Sequence, residues 1–214
     1  MKYLKNYLFL LFIFCTTEAQ TKYSAAEVVE KVQQKYAQMN DASASFTKKT
    51  SLRYGKNVQV QSGTVKIKKG NKYRIALPQQ LLVTDGKTVW LYSSENNQVL
   101  IDVFKEQKQN FSPDKFLTGF PKDFTPKKIE ENGDTIIVRL IPSAENSPTA
   151  FITSLTMWIQ PEKWLVKKIE YTDRNHSNVT ITLSDVVFNQ GIKDSEFHFE
   201  SSAEIRIIDM RKLK

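Results

Sequence analysis

Leu81-Leu82-Val83-Thr84-Asp85-Gly86-Lys87-Thr88-Val89-Trp90-Leu91-Tyr92 reads as two short strands folded back on a tight turn. Leu81 to Val83 supply one arm and Thr88 to Tyr92 the other, with Asp85-Gly86 between them. Asp-Gly tolerates the positive φ values of a type I′ hairpin turn, which predicts that these two residues form the connection. Asp85 is then accounted for by the turn and carries no chemical role.

The same period of two runs outward on both sides. Phe46 opens a strand toward Tyr54, and Gly55-Lys56-Asn57 turns it into Val58 to Lys68. Lys69-Gly70-Asn71 turns again, and Tyr73, Ile75 and Leu77 alternate with Lys72, Arg74 and Ala76. Beyond the opening hairpin, Asn96-Asn97 leads into Gln98 to Phe104. Strict alternation gives each strand one buried and one wet face, and short turns make a meander. Strands resume over Asp134 to Ile141, Phe151 to Gln160, Leu165 to Tyr171, Val179 to Val187 and Ser202 to Met210. The expectation is an α+β chain, mainly β: an incomplete antiparallel barrel of about eleven strands.

Two segments depart from that period. Ser24-Ala25-Ala26-Glu27 is a capping box, and Val28, Val29, Val32, Tyr36 and Met39 follow at helical spacing, predicting a helix over about 25–39. Residues 106–126 break the strand pattern: Ser112-Pro113 reads as a helix start, Phe111, Phe116, Leu117, Phe120 and Phe124 crowd the segment, and Gly119 and Pro121 stop it. These two pieces are the candidates to cover the sheet. A curved sheet under helices is either a filled core or an apolar pocket.

Lys2 and Lys5, the apolar run Leu8 to Cys15 and Thr17-Glu18-Ala19 read as a secretory signal, with cleavage expected after Ala19 and one domain over 20–214. Phe14 before Cys15 argues against lipid attachment. Cys15 is the only cysteine, so the exported chain has neither disulfides nor thiol chemistry and depends on its core alone. The full chain has a formal charge of +8; loss of the signal removes two positive charges and one negative, leaving +7. Anionic lipid or an acidic partner suits that charge. Nucleic acid is not expected, because no basic-aromatic binding motif is present.

An enzyme is hard to build from these residues. His176 falls in a polar turn and His198 in the alternating run Phe197-His198-Phe199, and neither stands in a cluster with metal-ligand spacing. The sequence holds neither a phosphate-binding loop nor a nucleophile elbow, and Glu130-Glu131 reads as a solvated turn. Lys66, Lys68, Lys69, Lys72 and Arg74 alternate with Val65, Ile67, Tyr73 and Ile75, which reads as a solvated sheet face, the competing reading being a dedicated headgroup or partner patch. No catalytic residue, metal or cofactor is expected.

Two stretches resemble LolA-type outer-membrane lipoprotein carriers. Ala42-Ser43-Ala44-Ser45-Phe46-Thr47 is similar to that family's F-x-A-x-F-x-Q segment after the first helix, with Lys48 in place of the Gln. Leu82 to Tyr92 is similar to its V-S-D-G-K-x-L-W-x-Y. The resemblance implies a half-barrel with a helical lid whose cavity holds the acyl chains of lipoproteins crossing the periplasm. It implies as partners an inner-membrane ABC transporter that releases the cargo and an outer-membrane acceptor, with transient membrane contact and a monomeric carrier. The lining implied here is Phe46, Val65, Ile67, Tyr73 and Ile75, with Phe116, Leu117 and Phe120 from the lid. Lys69-Gly70 replaces a frequent Arg-Pro whose Arg bonds to the lid, so Lys69 is the implied lid contact without a planar fork. Ile75 stands where the family has a Trp. Two other readings are a lipid- or lipoprotein-sensing interaction module of a stress pathway and a carrier of another lipid or glycolipid.

Overall fold

A computed structural model of the chain describes residues 22–53, 58–105, 124–143 and 152–212. The elements in order are α1 (Ala25–Ala37), β1 (Asp41–Ser51), β2 (Val58–Lys68), β3 (Lys72–Ala76), β4 (Gln80–Asp85), β5 (Thr88–Ser93) and β6 (Gln98–Val103). There follow β7 (Phe124–Asn132), β8 (Thr135–Pro142), β9 (Ile152–Gln160), β10 (Leu165–Asp173), β11 (Asn178–Phe188) and β12 (Arg206–Asp209). All twelve strands form one sheet in the order β12-β6-β5-β4-β3-β2-β1-β11-β10-β9-β8-β7. Its end strands, β12 and β7, do not pair with each other, so the sheet is open. The predicted signal peptide and the Phe-rich insertion with Phe116, Leu117 and Phe120 lie outside the described residues.

The strand absent from the sequence reading is β7, where 106–126 reads as a break in the pattern and Glu130-Glu131 as a turn; its Pro126 cannot donate to a ladder. The sheet tolerates this proline because β7 is an edge strand, and its pairing with β8 is irregular between Pro126 and Lys128. Phe124 therefore belongs to the core and is buried. Glu130 and Glu131 sit on β7 and not in a turn; Glu131 accepts a hydrogen bond from the Lys22 amide at 2.9 Å.

The founding hairpin is offset by one residue from its prediction. Asp85 closes β4 and Thr88 opens β5, so the connecting pair is Gly86-Lys87. Gly86 has φ +87°, and Lys87 is not among the positive-φ residues, so the two positive values of a type I′ turn are not both present. The Asp85 carboxylate instead accepts hydrogen bonds from the amides of Lys87 (2.8 Å) and Thr88 (2.7 Å). A Cβ on Gly86 would run into the carbonyl oxygen of Gly70, so glycine also lets this turn pack on the β2–β3 turn.

The capping box predicted from Ser24 and Glu27 is formed, and α1 buries Val28, Val32 and Tyr36, four residues apart each time. That stripe lies on the half of the sheet carrying β7 to β10. It meets a core of Val138, Leu140, Leu155, Met157, Ile159 and Ile169. Each such side chain contributes ~1.5–3 kcal/mol on full burial. The Tyr36 hydroxyl accepts a hydrogen bond from the Val166 amide at 3.3 Å, next to an irregularity in the β9–β10 pairing between Val166 and Lys168. Burial pushes this phenol up to about 12.

A second, smaller core lies on the opposite face. Val83, Trp90 and Val99 are buried there with Leu81, Tyr92 and Ile101 beside them, under Phe199 and Ile205 from the C-terminal segment. His198 packs edge-on against Trp90, with ring centroids 4.7 Å apart. The run around it is not a strand: Asp194–Phe197 is a 3-10 helix with Phe197 fully buried. The last strand, β12, runs parallel to β6, the one parallel pair among the described strands.

Candidate functional site

Register places the expected lining residues along the helix-side face of β1 to β3. Ala44 lies opposite Val65, Val65 opposite Ile75, and Ile75 opposite Leu82. The line continues through Leu91 on β5 to Leu100 on β6. Side chains opposite one another on neighbouring strands share a face, so this is one apolar row across six strands. A parallel row holds Ala42, Ile67, Tyr73 and Thr84. Phe46 stands one step further along β1, opposite Gly63 and Leu183.

Coverage falls along the row. Val65 is 5% exposed, Ile75, Leu82 and Leu100 are half-buried, and Leu91 is 39% exposed. Val65, Ile67 and Tyr73 belong to the buried core that α1 seals, and Phe46, Ile75 and Leu82 pack at its margin. Phe104, which follows β6, meets Tyr73 edge-on with centroids 6.3 Å apart. Leu82, Leu91, Leu100 and Phe104 were not among the residues implied by the resemblance. The alternation of β4 to β6 contained them, but alternation alone gives parity and not which face the helix shares.

The opposite face of β2 and β3 is fixed by charge. Lys66, Lys68, Lys72 and Arg74 are not a solvated stripe, because the segment 192–197 lies across them. Lys66 pairs with Glu196 at 2.8 Å, and Lys68 and Lys72 both reach Asp194 at 2.7 Å. Lys68 also donates to the Ile192 carbonyl, and Arg74 to that of Glu196. The two ammonium groups hold the Asp194 carboxyl down to about 2, and Lys66 lowers that of Glu196. The apolar row thus rests on strands pinned from behind. Lys69 stands apart: its amide donates to the Asn40 carbonyl at 2.9 Å, and its side chain is exposed at the β2–β3 turn.

Asp41 anchors that segment, and nothing in the local sequence marked it. It is 3% exposed, and its carboxylate accepts hydrogen bonds from the amides of Gln190, Gly191 and Ile192 at 2.8, 3.0 and 3.2 Å. Asn189 closes the loop, its amide donating to the Asp41 carbonyl and its side chain accepting from the Asn40 amide. Positive φ at Asn189 (+56°) and Gly191 (+71°) turns three consecutive amides toward one carboxylate.

Residues 37–200 fit the family model described as outer membrane lipoprotein carrier protein LolA. The chain belongs to the LolA family. The outer-membrane lipoprotein carrier protein of Pasteurella multocida is 28% identical over 191 residues, covering 87% of this chain and 89% of that protein. The Haemophilus influenzae protein of the same name is 25% identical over 207 residues, covering 95% of this chain and 97% of its own. Among solved structures, an uncharacterised conserved protein of Thermus thermophilus superposes with a TM-score of 0.56 over 87% of this chain and 99% of that one, at 9% identity, a likeness of fold. Within the LolA family frame, the signature from Leu82 to Tyr92 divides between two faces: Leu82 and Leu91 look toward the helix side, and Trp90 and Tyr92 toward the C-terminal segment.

Proposed function

We propose that this protein is a non-enzymatic periplasmic carrier that shields the acyl chains of lipoproteins and moves them from the inner to the outer membrane. Membership in the LolA family and the carrier relatives support that reading. The observation that carries it is the row Ile75–Leu82–Leu91–Leu100, an apolar line left half-covered on the same face that α1 seals elsewhere. Transfer of one acyl methylene from water onto such a face is worth ~0.8 kcal/mol, so a chain laid along it is held without any polar contact.

In this reading Phe46 and Ile75 form the accessible floor, Val65, Ile67 and Tyr73 back it from the buried core, and Phe116, Leu117 and Phe120 cover the bound chain. Lys69, at the rim, meets the cover. The charge of +7 expected after loss of the signal suits approach to anionic membrane surfaces, and the donor and acceptor are an inner-membrane lipoprotein-releasing transporter and an outer-membrane receptor. The carrier acts as a monomer, delivered to the periplasm by the predicted signal peptide. A photoreactive side chain at Ile75 or Phe116 in cells is expected to capture acylated lipoproteins. Recovery of only unacylated proteins, or of none, counts against the carrier reading.

A further inference from the structure

Six residues of β2, from Val58 to Gly63, have a ladder partner on one side only. They pair with β1 from Ser51 to Phe46, but β3 joins β2 only from Thr64 onward. Among the described residues no strand borders the other side, and Val58 to Ser62 are all exposed. This leaves an open edge about 20 Å long at ~3.3 Å per residue. The β3 chain leaves β2 at this point: a Cβ on Gly63 would run into the Ala76 carbonyl oxygen, so the glycine admits the close crossing at which the ladder ends.

Exposed edges are normally blunted by proline, by charge or by brevity. The two ends of the sheet obey that rule. Edge strand β7 carries Pro126 and Lys127, and β12 has four residues, beginning with Arg206. The β2 edge reads Val58-Gln59-Val60-Gln61-Ser62-Gly63, without charge or proline, and Val58 and Val60 are 54% and 57% exposed. Alternating valines on an unpaired edge favour addition of a strand.

Charge selects the occupant. Between Asp41 and Asp85 the sequence holds nine Lys and Arg and not one Asp or Glu. Lys66, Lys68 and Lys72 are matched by Asp194 and Glu196, far along β2 and β3 from this edge. Lys48 and Lys49, on β1 opposite Gln61 and Val60, make no ion pair among the described residues. A second copy would bring one basic hairpin against another, which like charges disfavour. An acidic strand complements the edge.

We propose that the free edge of β2 is a strand-addition site for an extended, acidic segment of a partner protein. The backbone of the segment completes the ladder over Val58–Gly63, and carboxylates on its two faces reach across β2 toward Lys48 on one face and Lys49 on the other. The inference rests on the sheet edge and its charge and does not depend on the carrier reading.

The probe is a capped eight-residue peptide of sequence Val-Val-Glu-Glu repeated twice, which carries carboxylates on both faces, added to the mature protein at low salt and followed by amide chemical shifts and hydrogen exchange. Binding is expected to shift and protect amides between Val58 and Gly63. A peptide N-methylated at alternate residues keeps the charge but loses one set of backbone donors, and is expected to bind roughly tenfold more weakly. Q59E/Q61E is expected to weaken the unmodified peptide roughly tenfold by like-charge repulsion and Q59K/Q61K to strengthen it, with the β-sheet circular dichroism of both expected to stay unchanged. Equal binding of the N-methylated peptide, or shifts spread over the basic surface without protection at β2, overturns the proposal. So does exclusive affinity for vesicles containing phosphatidylglycerol, with no peptide binding, which would make this hairpin a membrane contact.

Discussion

Val138 on β8 and Met157 on β9 have no exposed surface, whereas Leu91 on β5, on the same face of the same sheet, is 39% exposed. The residue types are alike; the cover differs. Over β7 to β10 the helix α1 lays Val28, Val32 and Tyr36 onto the sheet and fills it. Over β4 to β6 the described residues provide no such helix, and the row thins toward the edge. The half under α1 holds the fold, and the half that the described residues leave thinly covered is the one the carrier proposal assigns to a ligand. A carrier needs both, because a sheet that filled its whole face would have nowhere to place a chain.

The largest effect is expected where the face is filled. Met157→Ala should destabilise the protein by about 2–5 kcal/mol in urea unfolding, the range for a large buried side chain cut to alanine. Leu91→Ala should cost under about 1 kcal/mol, because solvent already reaches that residue, while weakening cargo capture. Comparable losses from the two substitutions would erase the difference between the halves.

Next in size is the loop that backs the open half. Asp41→Ala strips three amides of a buried acceptor and should cost about 3 kcal/mol, freeing the 189–192 segment. Hydrogen exchange should show faster exchange at Gln190 to Ile192 and little change in α1.

The seal of α1 has a pH signature. Tyr36 titrates near 12 in the folded protein, above the ordinary tyrosine value of 10. The stability linked to the neutral phenol is fully present below pH 10 and is lost as pH rises toward 12. Tyr36→Phe should cost about 1–2 kcal/mol at neutral pH, since the Val166 amide loses its acceptor, and should flatten the stability profile between pH 10 and 12. An unchanged profile would mean that the hydroxyl is not sealed.

The smallest effect belongs to the surface ion pairs behind the row. Asp194 has its carboxyl held down to about 2, so its contribution is present above the ordinary aspartate range and fades as pH falls through about 2. Asp194→Asn should remove a small, salt-sensitive part of the acid side of the stability curve. An effect unchanged in high salt would contradict a solvent-exposed pair.

Local rules carried most of the fold. The Ser24–Glu27 capping box and the alternation in β2, β3 and β5 are decided by residues within a few positions of one another, and they were legible. Long-range partners were not. Asp41 meets amides 149 to 151 residues away, so its neighbours in sequence say nothing of its role. The Lys66–Arg74 stripe looked solvated because its counterions come from Asp194 and Glu196, 122 to 130 residues further on. Strand β7 was missed because its first residues close the Phe-rich insertion and Glu130-Glu131 looks like a solvated turn, and sequence does not reveal which strand will lie at an edge. The Phe46–Ile75 floor was named by resemblance, and register adds Leu82, Leu91 and Leu100 to its line.

On the carrier proposal, the acyl chain lies on the half of the sheet that α1 leaves open. A lipopeptide with a nitroxide on its acyl chain, bound to the protein and read by methyl NMR, tests it. The methyl signals of Leu82, Leu91 and Leu100 should broaden while those of Met157 and Val138 stay sharp. Broadening at Met157 with Leu91 spared, or none at any of the five, would contradict the claim.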